Sequence, residues 1–419
     1  MKEYEIRGGQ TLQGSVRLPA AKNSVLPLMA ASLLCSGPVV LRRVPATADT
    51  ATSRQLLTAL GASVECARGS IQICAGQALQ SVLPKQLAAA MRSSVFYLAP
   101  LLHKTGCVSL PLPGGCRLGP RLIDIHLNGL VRMGAQVSFQ PNRVTLRRSG
   151  LLHGIDYTLR IPSVGATETL MMAAACAKGV SVLRAAACEP EVQDLAAFLN
   201  ACGADIQGAG TPIVCIKGVE ELHGCCYEPL PDRIIAATLA CAAACAGGEV
   251  CLVNARAAQM QDILPLLKKA GCHVETEHGV RVEANGRLKA LGSLYTGAWP
   301  GFSTDNAPLL AAAMLKADGE TRICDTLFEK RFACAAQFAA MGGSVQVTGR
   351  QLNITGTQTL HGAKVYAPDL RGGAALVLAA LGADGETSVY DVGHMERGYP
   401  DLAAMLRKLG AHVRIKAVP

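Results

Sequence analysis

The stretch FLNACGADIQ, residues 198–207, decides the fold because the chain repeats its pattern five more times. The pattern is an apolar residue, several residues that favour a helix, a glycine, a small residue, any residue and then Val or Ile. Glycine readily adopts the left-handed conformation that ends a helix, so each copy predicts a helix followed at once by a strand. The other copies are LLTALGASVE (56–65), LVRMGAQVSF (130–139), LLKKAGCHVE (266–275), FAAMGGSVQV (338–347) and MLRKLGAHVR (405–414).

The spacing of these copies indicates six units of one supersecondary plan. Their glycines, Gly61, Gly134, Gly203, Gly271, Gly342 and Gly410, lie 68 to 73 residues apart. A second marker, Leu-x-Gly, occurs at 12–14, 152–154, 222–224 and 360–362, with weaker forms at 83–85 and 291–293. Strand-type and helix-type segments alternate between the markers and predict the order β-α-β-α-β-β in each unit. The symmetry suggests two similar α/β domains, each made of three units around buried helices.

The composition suits a large two-layer protein of the α/β class. The chain has 419 residues, of which 50% are apolar but only 4% aromatic, so Ala, Leu and Val must fill the cores. It has 17 cysteines, an odd number, with no C-x-x-C pair, which argues against a disulfide framework or a zinc site. We therefore expect a protein of the reducing cytoplasm without a zinc site.

Charge and hydropathy exclude further classes. The formal net charge of +9 is spread along the chain without basic runs, so we expect no nucleic-acid binding, while anionic small molecules remain possible substrates. The start, MKEYEIRGG, is charged, which does not suit a secretory signal. The uncharged run 23–41 contains Pro27, Gly37 and Pro38, and it is better interpreted as a soluble helix and a strand than as a membrane span.

Positively charged residues recur where the helices are predicted to begin. A cation at a helix N-terminus opposes the helix dipole and costs about 0.3–1 kcal/mol, so a repeated occurrence suggests a shared anionic ligand. These cations are Lys22, Arg92, Arg121, Arg331, Arg371 and Arg397. Other polar residues at such starts are more simply interpreted as ordinary helix caps, namely Ser163, Asp232, Thr304 and Asp369.

The loop PLPGGCRLGPR, residues 111–121, has no counterpart in the other units. It places Cys116 among prolines, glycines and arginines, whereas most other cysteines stand in apolar stretches. Nearby arginines favour the thiolate, the reactive form of cysteine. Two interpretations remain open from composition: a nucleophilic or acid–base cysteine, or a loop cysteine without chemistry.

Ten short motifs in order give the chain a recognisable resemblance. They include AAKNSVLPL at Lys22, MRSS at Arg92, LPGGCRLGPR at Cys116, PSVGATE at Ser163 and FSTD at Asp305. The others are EPEVQDL (189–195), PDRI (231–234), FEKR (328–331), DLR (369–371) and ERGY (396–399). Over essentially its whole length the chain resembles the UDP-N-acetylglucosamine enolpyruvyl transferases, relatives of the 5-enolpyruvylshikimate-3-phosphate synthases. The latter lack the Cys-bearing loop, so Cys116 favours the first branch.

The resemblance implies a two-domain inside-out α/β barrel built from six β-α-β-α-β-β repeats. One domain would comprise residues 1–21 and 230–419, and the other residues 22–229 with the Cys loop 111–121. The implied reaction moves the enolpyruvyl group of phosphoenolpyruvate to the 3-hydroxyl of UDP-N-acetylglucosamine, a step of peptidoglycan synthesis. No organic cofactor is implied, and a monomer is expected.

The resemblance also assigns roles to residues. Lys22, Arg121 and Arg397 would face the phosphate of phosphoenolpyruvate, and Arg331 and Arg371 its carboxylate. Cys116 would donate a proton to the methylene carbon and can form a covalent adduct, and Asp305 would be the base near the sugar hydroxyl. The implied contacts of the sugar nucleotide are Asn23, Arg92, Arg121, Leu122, Ile123, Asp124, Ile125, Ser163, Val164, Asp305 and Leu327.

Several positions depart from the family pattern. They are Ala48, Leu122, Cys188 and Ile235, and the segment after Asp305 lacks the usual Gln. These departures leave two alternatives: an enolpyruvyl transferase acting on another acceptor such as shikimate 3-phosphate, or a non-catalytic paralogue that binds UDP-N-acetylglucosamine. The presence of Cys116 and Asp305 favours an active enzyme.

Overall fold

The computed structural model describes residues 2–67, 69–111 and 123–417. Their contacts form two compact units. The discontinuous unit contains residues 2–19 and 231–417, and the inserted unit contains residues 20–111 and 123–230. Cys116, Arg121 and Leu122 lie outside the described residues.

Helices and strands are numbered in chain order. In the first part of the chain the strands are β1 (Lys2–Arg7), β2 (Leu12–Val16), β3 (Val39–Leu41), β4 (Ser63–Ala67), β5 (Ser70–Cys74), β6 (Cys107–Pro111), β7 (Gln136–Gln140), β8 (Arg143–Arg147), β9 (Asp156–Thr158), β10 (Val180–Arg184), β11 (Asp205–Gln207) and β12 (Ile213–Lys217). The helices there are α1 (Lys22–Ala31), α2 (Ala48–Ala59), α3 (Lys85–Ala90), α4 (Leu98–Thr105), α5 (Asp124–Arg132), α6 (Val164–Ala175) and α7 (Pro190–Ala201), with a 3-10 helix at Arg92–Tyr97.

The second part repeats this alternation. Its strands are β13 (Cys226–Tyr227), β14 (Gly248–Leu252), β15 (His273–Glu275), β16 (Val280–Ala284), β17 (Gly292–Tyr295), β18 (Glu320–Cys324), β19 (Ser344–Thr348), β20 (Gln351–Thr355), β21 (Lys364–Tyr366), β22 (Glu386–Tyr390) and β23 (His412–Ala417). Its helices are α8 (Arg233–Ala246), α9 (Leu264–Ala270), α10 (Ala307–Met314), α11 (Ala335–Ala340), α12 (Leu370–Leu381) and α13 (Leu402–Lys408), with a 3-10 helix at Val392–Arg397.

Each unit carries three sheets of related topology. In the inserted unit the strand orders are β13-β3-β5-β4, β6-β8-β7 and β9-β10-β12-β11. In the discontinuous unit they are β2-β14-β16-β15, β17-β18-β20-β19 and β21-β22-β1-β23. Every four-stranded sheet joins a parallel pair of strands to an antiparallel pair. In the three-stranded sheet, a parallel bridge between Val82 and Ser109 stands where the fourth strand would be. The predicted β-α-β-α-β-β repeat is therefore confirmed.

The apolar helices of each unit lie inside the sheets, with Ala and Leu filling the space between them, whereas helices such as α2 keep an exposed face. In the discontinuous unit α8, α10 and α12 pack on one another. Nearly all of their residues are buried, and α12 is buried from Arg371 to its end. In the inserted unit α6 is likewise buried over most of its length and packs on α4, α5 and α7. Helices without a polar face require cover on all sides, which the surrounding sheets supply.

The repeated Gly phrase ends helices as predicted. All six of its glycines have positive φ, between 86° and 108°. A residue with a Cβ is strained in this region of the backbone map, and glycine is not. The phrase is thus a structural signature of the fold.

At three of the four Leu-x-Gly markers the glycine has a different cause, which is close approach of two backbones. A Cβ on Gly154 or Gly224 would lie 2.2 or 2.1 Å from the carbonyl oxygen of Val180 or Pro38. The equivalent Gly362 has the same environment, with a carbonyl oxygen at 2.2 Å. No side chain fits at that separation, so the two strands of each parallel pair can approach at these points only through glycine.

The sixth repeat is completed by the beginning of the chain. After β23 no hairpin partner follows within the described residues, and β1 pairs antiparallel with both β22 and β23 in the position that β12 and β20 hold in their own sheets. The residue after the strand supports this equivalence. A Cβ on Gly8, Gly218 or Gly356, which follow β1, β12 and β20, would lie 2.1, 1.7 or 1.6 Å from a helix-end carbonyl oxygen. The sequence pattern does not predict this non-local closure.

We expect Gly218→Ala to destabilise the inserted unit by about 3 kcal/mol or more, because the new Cβ would overlap the Ala177 carbonyl group and only backbone movement could relieve it. Urea denaturation followed by circular dichroism measures the change. Gly150→Ala is the matched control, since Gly150 is exposed, has no positive φ and leaves open space where a Cβ would be added. The control should stay within about 0.5 kcal/mol of the wild type. Equal effects of the two substitutions would refute the close-approach explanation.

Candidate active site

In the discontinuous unit, a cluster of charged residues lies where α10 and α12 begin. We call Asp305, Arg331 and Arg371, with Thr304 and Asp325, the arginine cluster. Asp305 Oδ1 lies 3.3 Å from Arg331 Nη2 and 3.6 Å from Arg371 Nε. Arg331 is 1% exposed at its side chain and Asp305 29%. The structure thus brings together three residues that the sequence analysis selected as site residues, and their catalytic roles stay a prediction.

Two further residues of the cluster hold Arg331 in place. Arg331 Nε donates to Thr304 Oγ1 at 2.9 Å, and the Thr304 hydroxyl in turn donates to Asp325 Oδ2. Asp325 is fully buried and also lies 3.9 Å from Arg331 Nε. Thr304 was predicted to be a helix cap, and that interpretation is wrong: α10 begins after Asn306, and the Thr304 hydroxyl serves the arginine instead. The caps predicted at Ser163, Asp232 and Asp369 are confirmed.

Arg371 is the second buried cation of the arginine cluster, with 6% of its side chain exposed. Burial lowers the pKa of its guanidinium, but the negative charge of Asp305 and the neighbouring Tyr399 more than offset this and raise it. The guanidinium carbon lies 5.6 Å from the centre of the Tyr399 ring, and the Tyr399 hydroxyl hydrogen-bonds to Thr238 at 2.8 Å. Arg371 therefore stays charged and is fixed by contacts on two sides.

Not every predicted cation begins a helix. Lys22, Arg92 and Arg371 do lie at helix starts. Arg331 lies in a turn before α11, and Arg397 ends the 3-10 helix Val392–Arg397. Both residues therefore lie in the segments before α11 and α13, beside predicted helix starts but outside the first turn, so the cost from the helix dipole does not apply to them.

In the inserted unit, Lys22 pairs with a carboxylate that the sequence analysis did not connect to it. Lys22 Nζ lies 3.0 Å from Asp49 Oδ2, and both side chains are about nine-tenths buried, with 11% and 8% exposed. The pair offsets the cost of a cation at the first residue of α1. Asn23 follows in the first turn and is partly exposed.

Three segments that carry predicted nucleotide contacts pack together near one histidine of α5, His126. α6 packs on α5 and on the 3-10 helix that begins at Arg92. Between them lies His126, which is 4% exposed. A Cβ on Gly165 would lie only 3.1 Å from His126 Nε2, so the small residue lets α6 approach. Burial and then the charge of Arg92 lower the pKa of His126 to about 4, against a smaller opposite effect of Asp124. His126 is therefore neutral near pH 7, and the sequence analysis missed it.

The other predicted contacts have these positions. Ser163 accepts from Ala166 N–H at 3.4 Å and Val164 begins α6, both partly exposed. Ile123 and Ile125 are buried in the core, with 8% and 6% exposed. Asp124 is ion-paired with Arg160 at 2.9 Å. In the discontinuous unit Leu327 is 52% exposed.

The departures from the family pattern fit their surroundings. Ala48 is exposed at the first position of α2, after the Thr47 cap. Ile235 is 1% exposed in α8, where an apolar side chain suits the core. Burial and the charge of Glu189 raise the pKa of Cys188. In place of the Gln expected after Asp305, Asn306 donates to the buried Asp262 at 2.8 Å.

A buried carboxyl group in α6 was not anticipated either. Glu168 is fully buried, and neither of its carboxyl oxygens has a hydrogen-bond partner among the described residues. Burial, reinforced by the charges of Glu191, Glu189 and Asp194, raises its pKa well above the usual range. Burial therefore favours the neutral, protonated form of Glu168 in the folded protein.

We expect Glu168→Gln to change how stability depends on pH. Because the raised pKa belongs to the folded state, the unfolded chain ionises first, so the stability that Glu168 provides is complete below the unfolded pKa and is lost as pH rises. The variant stays neutral in both states. Relative to the wild type, the variant's free energy of unfolding should increase by up to about 1.4 kcal/mol per pH unit as the pH rises above the ordinary glutamate pKa of about 4.3. Urea titrations at several pH values measure this. The exposed Glu221→Gln should show no such trend, and parallel curves for Glu168→Gln and wild type would contradict the assignment.

Two further observations bear on the site. Within the described residues, no three or more His, Cys, Asp and Glu side chains meet in a way that could hold a metal ion. None of the helices in the described ranges has the length and hydropathy required to cross a bilayer.

Comparison with known proteins places the chain in one family. The family model described as EPSP synthase (3-phosphoshikimate 1-carboxyvinyltransferase) matches residues 6–406. The chain therefore belongs to this family of carboxyvinyl transferases, and it is an enzyme of that class. Among curated relatives, the UDP-N-acetylglucosamine 1-carboxyvinyltransferase of Finegoldia magna is 40% identical over 418 residues, covering 99% of this chain and 98% of the relative. UDP-N-acetylglucosamine 1-carboxyvinyltransferase 1 of Halalkalibacterium halodurans is 41% identical over 415 residues, covering 99% and 94%.

Solved structures agree on the architecture. The enolpyruvyl transferase NikO from Streptomyces tendae matches with a TM-score of 0.90 at 26% identity, covering 100% of this chain and 99% of the other. EPSP synthase from Acinetobacter baumannii matches with a TM-score of 0.78 at 18% identity, covering 100% of both chains, and shows the fold only. The predicted family resemblance and the two-domain inside-out α/β barrel are thereby confirmed.

Proposed function

We propose that the protein transfers the enolpyruvyl group of phosphoenolpyruvate to the 3-hydroxyl of UDP-N-acetylglucosamine with release of phosphate, an early step of peptidoglycan synthesis. The full-length relatives named for this reaction support the acceptor. The observation that carries the reaction is the arginine cluster, where two buried cations both face the partly exposed carboxylate of Asp305.

The cluster suits a compact anion. Arg331 and Arg371 are held by neighbours, so their guanidinium groups need little reordering when an anion binds. Guanidinium groups bind carboxylate and phosphate oxygens with two parallel hydrogen bonds. We assign them to the carboxylate side of phosphoenolpyruvate, and Lys22, Arg121 and Arg397 to its phosphate.

The proposed chemistry is addition followed by elimination. The sugar oxygen attacks C2 of phosphoenolpyruvate while a proton is added to C3, which gives a tetrahedral ketal. Loss of phosphate and of one C3 proton then yields the enol ether. Asp305 removes the proton from the hydroxyl, because it is the partly exposed carboxylate of the cluster. Cys116 is assigned the proton transfer at C3 and can bond covalently to C2 of phosphoenolpyruvate.

The acceptor is proposed to lie against polar and apolar residues of the repeats. Asn23, Arg92, Ser163 and Leu327 are assigned to it on family resemblance. The grouping of α5, α6 and the Arg92 helix around neutral His126 supports a shared binding surface for three of these predicted segments. A neutral histidine adds no charge to the surface that Arg92 presents to a diphosphate.

Phosphate release from phosphoenolpyruvate tests the proposal. We expect release that depends on UDP-N-acetylglucosamine and not on shikimate 3-phosphate. Release with shikimate 3-phosphate only would indicate the other acceptor. Binding of UDP-N-acetylglucosamine without any release at high enzyme concentration would indicate a non-catalytic paralogue. Either result would overturn the proposal.

A further inference from the structure

Asp325 joins two parts of the discontinuous unit that the proposed function assigns to different substrates. Its Oδ2 accepts the Thr304 hydroxyl, which itself accepts from Arg331 Nε at 2.9 Å. Its Oδ1 accepts from the backbone N–H groups of Leu327 and Phe328 at 2.9 and 2.6 Å. One fully buried carboxylate thus accepts hydrogen bonds both from the Thr304 hydroxyl, which links it to Arg331, and from the backbone of the loop that carries Leu327.

A buried carboxylate of this kind requires compensation. An ionised group at 0% exposure is costly unless hydrogen bonds and a nearby opposite charge satisfy it. Asp325 meets that requirement with three hydrogen bonds and with Arg331 Nε at 3.9 Å. The Thr304 hydroxyl stands between the two charges, so the carboxylate reaches the guanidinium through a bridge.

We propose that Asp325 is a positioning residue, which fixes the Arg331 guanidinium through the Thr304 hydroxyl and fixes Leu327 through its backbone. This inference rests on the proposed function, since Arg331 and Leu327 are assigned there to phosphoenolpyruvate and to the sugar nucleotide. Asp325 touches neither substrate. It sets the position of one group for each of them.

Thr304→Val tests the bridge without changing any charge. The variant has nearly the same shape but lacks the hydroxyl, so Arg331 Nε loses its partner. Loss of a hydrogen bond to a charged group corresponds to a loss of affinity of roughly 10- to 100-fold. We therefore expect the KM for phosphoenolpyruvate to rise about tenfold or more, with the KM for UDP-N-acetylglucosamine nearly unchanged. Thr304→Ser restores the hydroxyl and should recover most of the loss.

Asp325→Asn tests whether Asp325 acts through Thr304. The amide oxygen can still accept from Leu327 and Phe328, but the nitrogen cannot accept the Thr304 hydroxyl. In the wild-type background kcat/KM for phosphoenolpyruvate should fall about 10- to 100-fold. In the Thr304→Val background, Asp325→Asn should lower kcat/KM for phosphoenolpyruvate by no more than about twofold, because the bridge is already gone. Equal losses in both backgrounds would overturn the proposal, since they would show that Asp325 acts by its charge or by general stability.

Further controls distinguish a loss of folding from a loss of positioning, and they distinguish the role of Asp325 from the proposed function. Asp318→Asn, a carboxylate before β18 and outside the arginine cluster, should leave the kinetics unchanged. Thermal unfolding shows whether each variant is folded. If Asp325→Asn does not fold, Thr304→Val still tests the bridge, because an unchanged KM for phosphoenolpyruvate in that variant would refute it. Calorimetric binding of phosphoenolpyruvate to the same variants measures the coupling without turnover. Failure of wild-type phosphate release would thus reject the proposed function separately from the role of Asp325.

Discussion

Asp305→Asn is expected to lower kcat by about 10²- to 10⁴-fold without weakening the binding of phosphoenolpyruvate. The loss of rate follows from removal of the proposed general base. Binding should hold or tighten, because the variant removes the negative charge that lies 3.3 Å from Arg331 and 3.6 Å from Arg371. The two arginines would then have one opposing carboxylate fewer, which favours the binding of an anion.

Steady-state kinetics and calorimetry together measure this split. The matched control is Asp384→Asn, an exposed aspartate of the same unit, which should keep wild-type rates. If Asp305→Asn retained more than about a tenth of the wild-type kcat, Asp305 would not be the base. If phosphoenolpyruvate binding were lost together with turnover, Asp305 would instead act mainly by holding the two arginines.

Cys116→Ala is expected to abolish turnover while UDP-N-acetylglucosamine still binds. The proposed mechanism needs a proton donor at C3 of phosphoenolpyruvate, and alanine has no exchangeable proton. General acid–base groups contribute about 10²- to 10⁴-fold to rate, so the loss should be of at least this order. The sugar nucleotide should bind nearly normally, because none of its proposed contacts is the thiol.

Phosphate release and calorimetry measure the two effects, and intact mass tests for a covalent adduct with phosphoenolpyruvate. The chain supplies a matched control in Cys226→Ala, which removes another cysteine thiol, one that is exposed. The control should retain full activity. An adduct on wild type that persists in Cys116→Ala, or an active Cys116→Ala enzyme, would assign the chemistry to another residue.

The fold was predictable because its signals are local. Helix-ending glycines such as Gly203 and the alternating segments between them depend on a few neighbouring residues, and six copies average out the uncertainty of each. The close-approach glycines were visible as the Leu-x-Gly marker, although their cause was not. The pairing of β1 with β22 could not be predicted, because it joins strands from distant parts of the sequence.

The candidate site was predictable only where a residue type was unusual for its position. Cations such as Arg371 were conspicuous at a helix start, and Asp305 came from the family motif. Asp325 was missed because an Asp after a strand is ordinary in sequence and becomes informative only when its burial and its bond to Thr304 are known. His126 and Glu168 were missed for the same reason, since nothing local announces that a helical His or Glu is fully covered.

The contribution of β1 to the sixth repeat has a consequence for the synthesis of the protein. At about 5–20 residues per second, residues 2–7 wait roughly 20–80 s before their partner strands have been translated. The inserted unit is contiguous in sequence and is translated during this interval, so it can fold while the first strand remains an unpaired edge. Unpaired strands are prone to wrong pairing. During translation, β1 of the discontinuous unit is therefore exposed to wrong pairing for longer than the strands of the inserted unit.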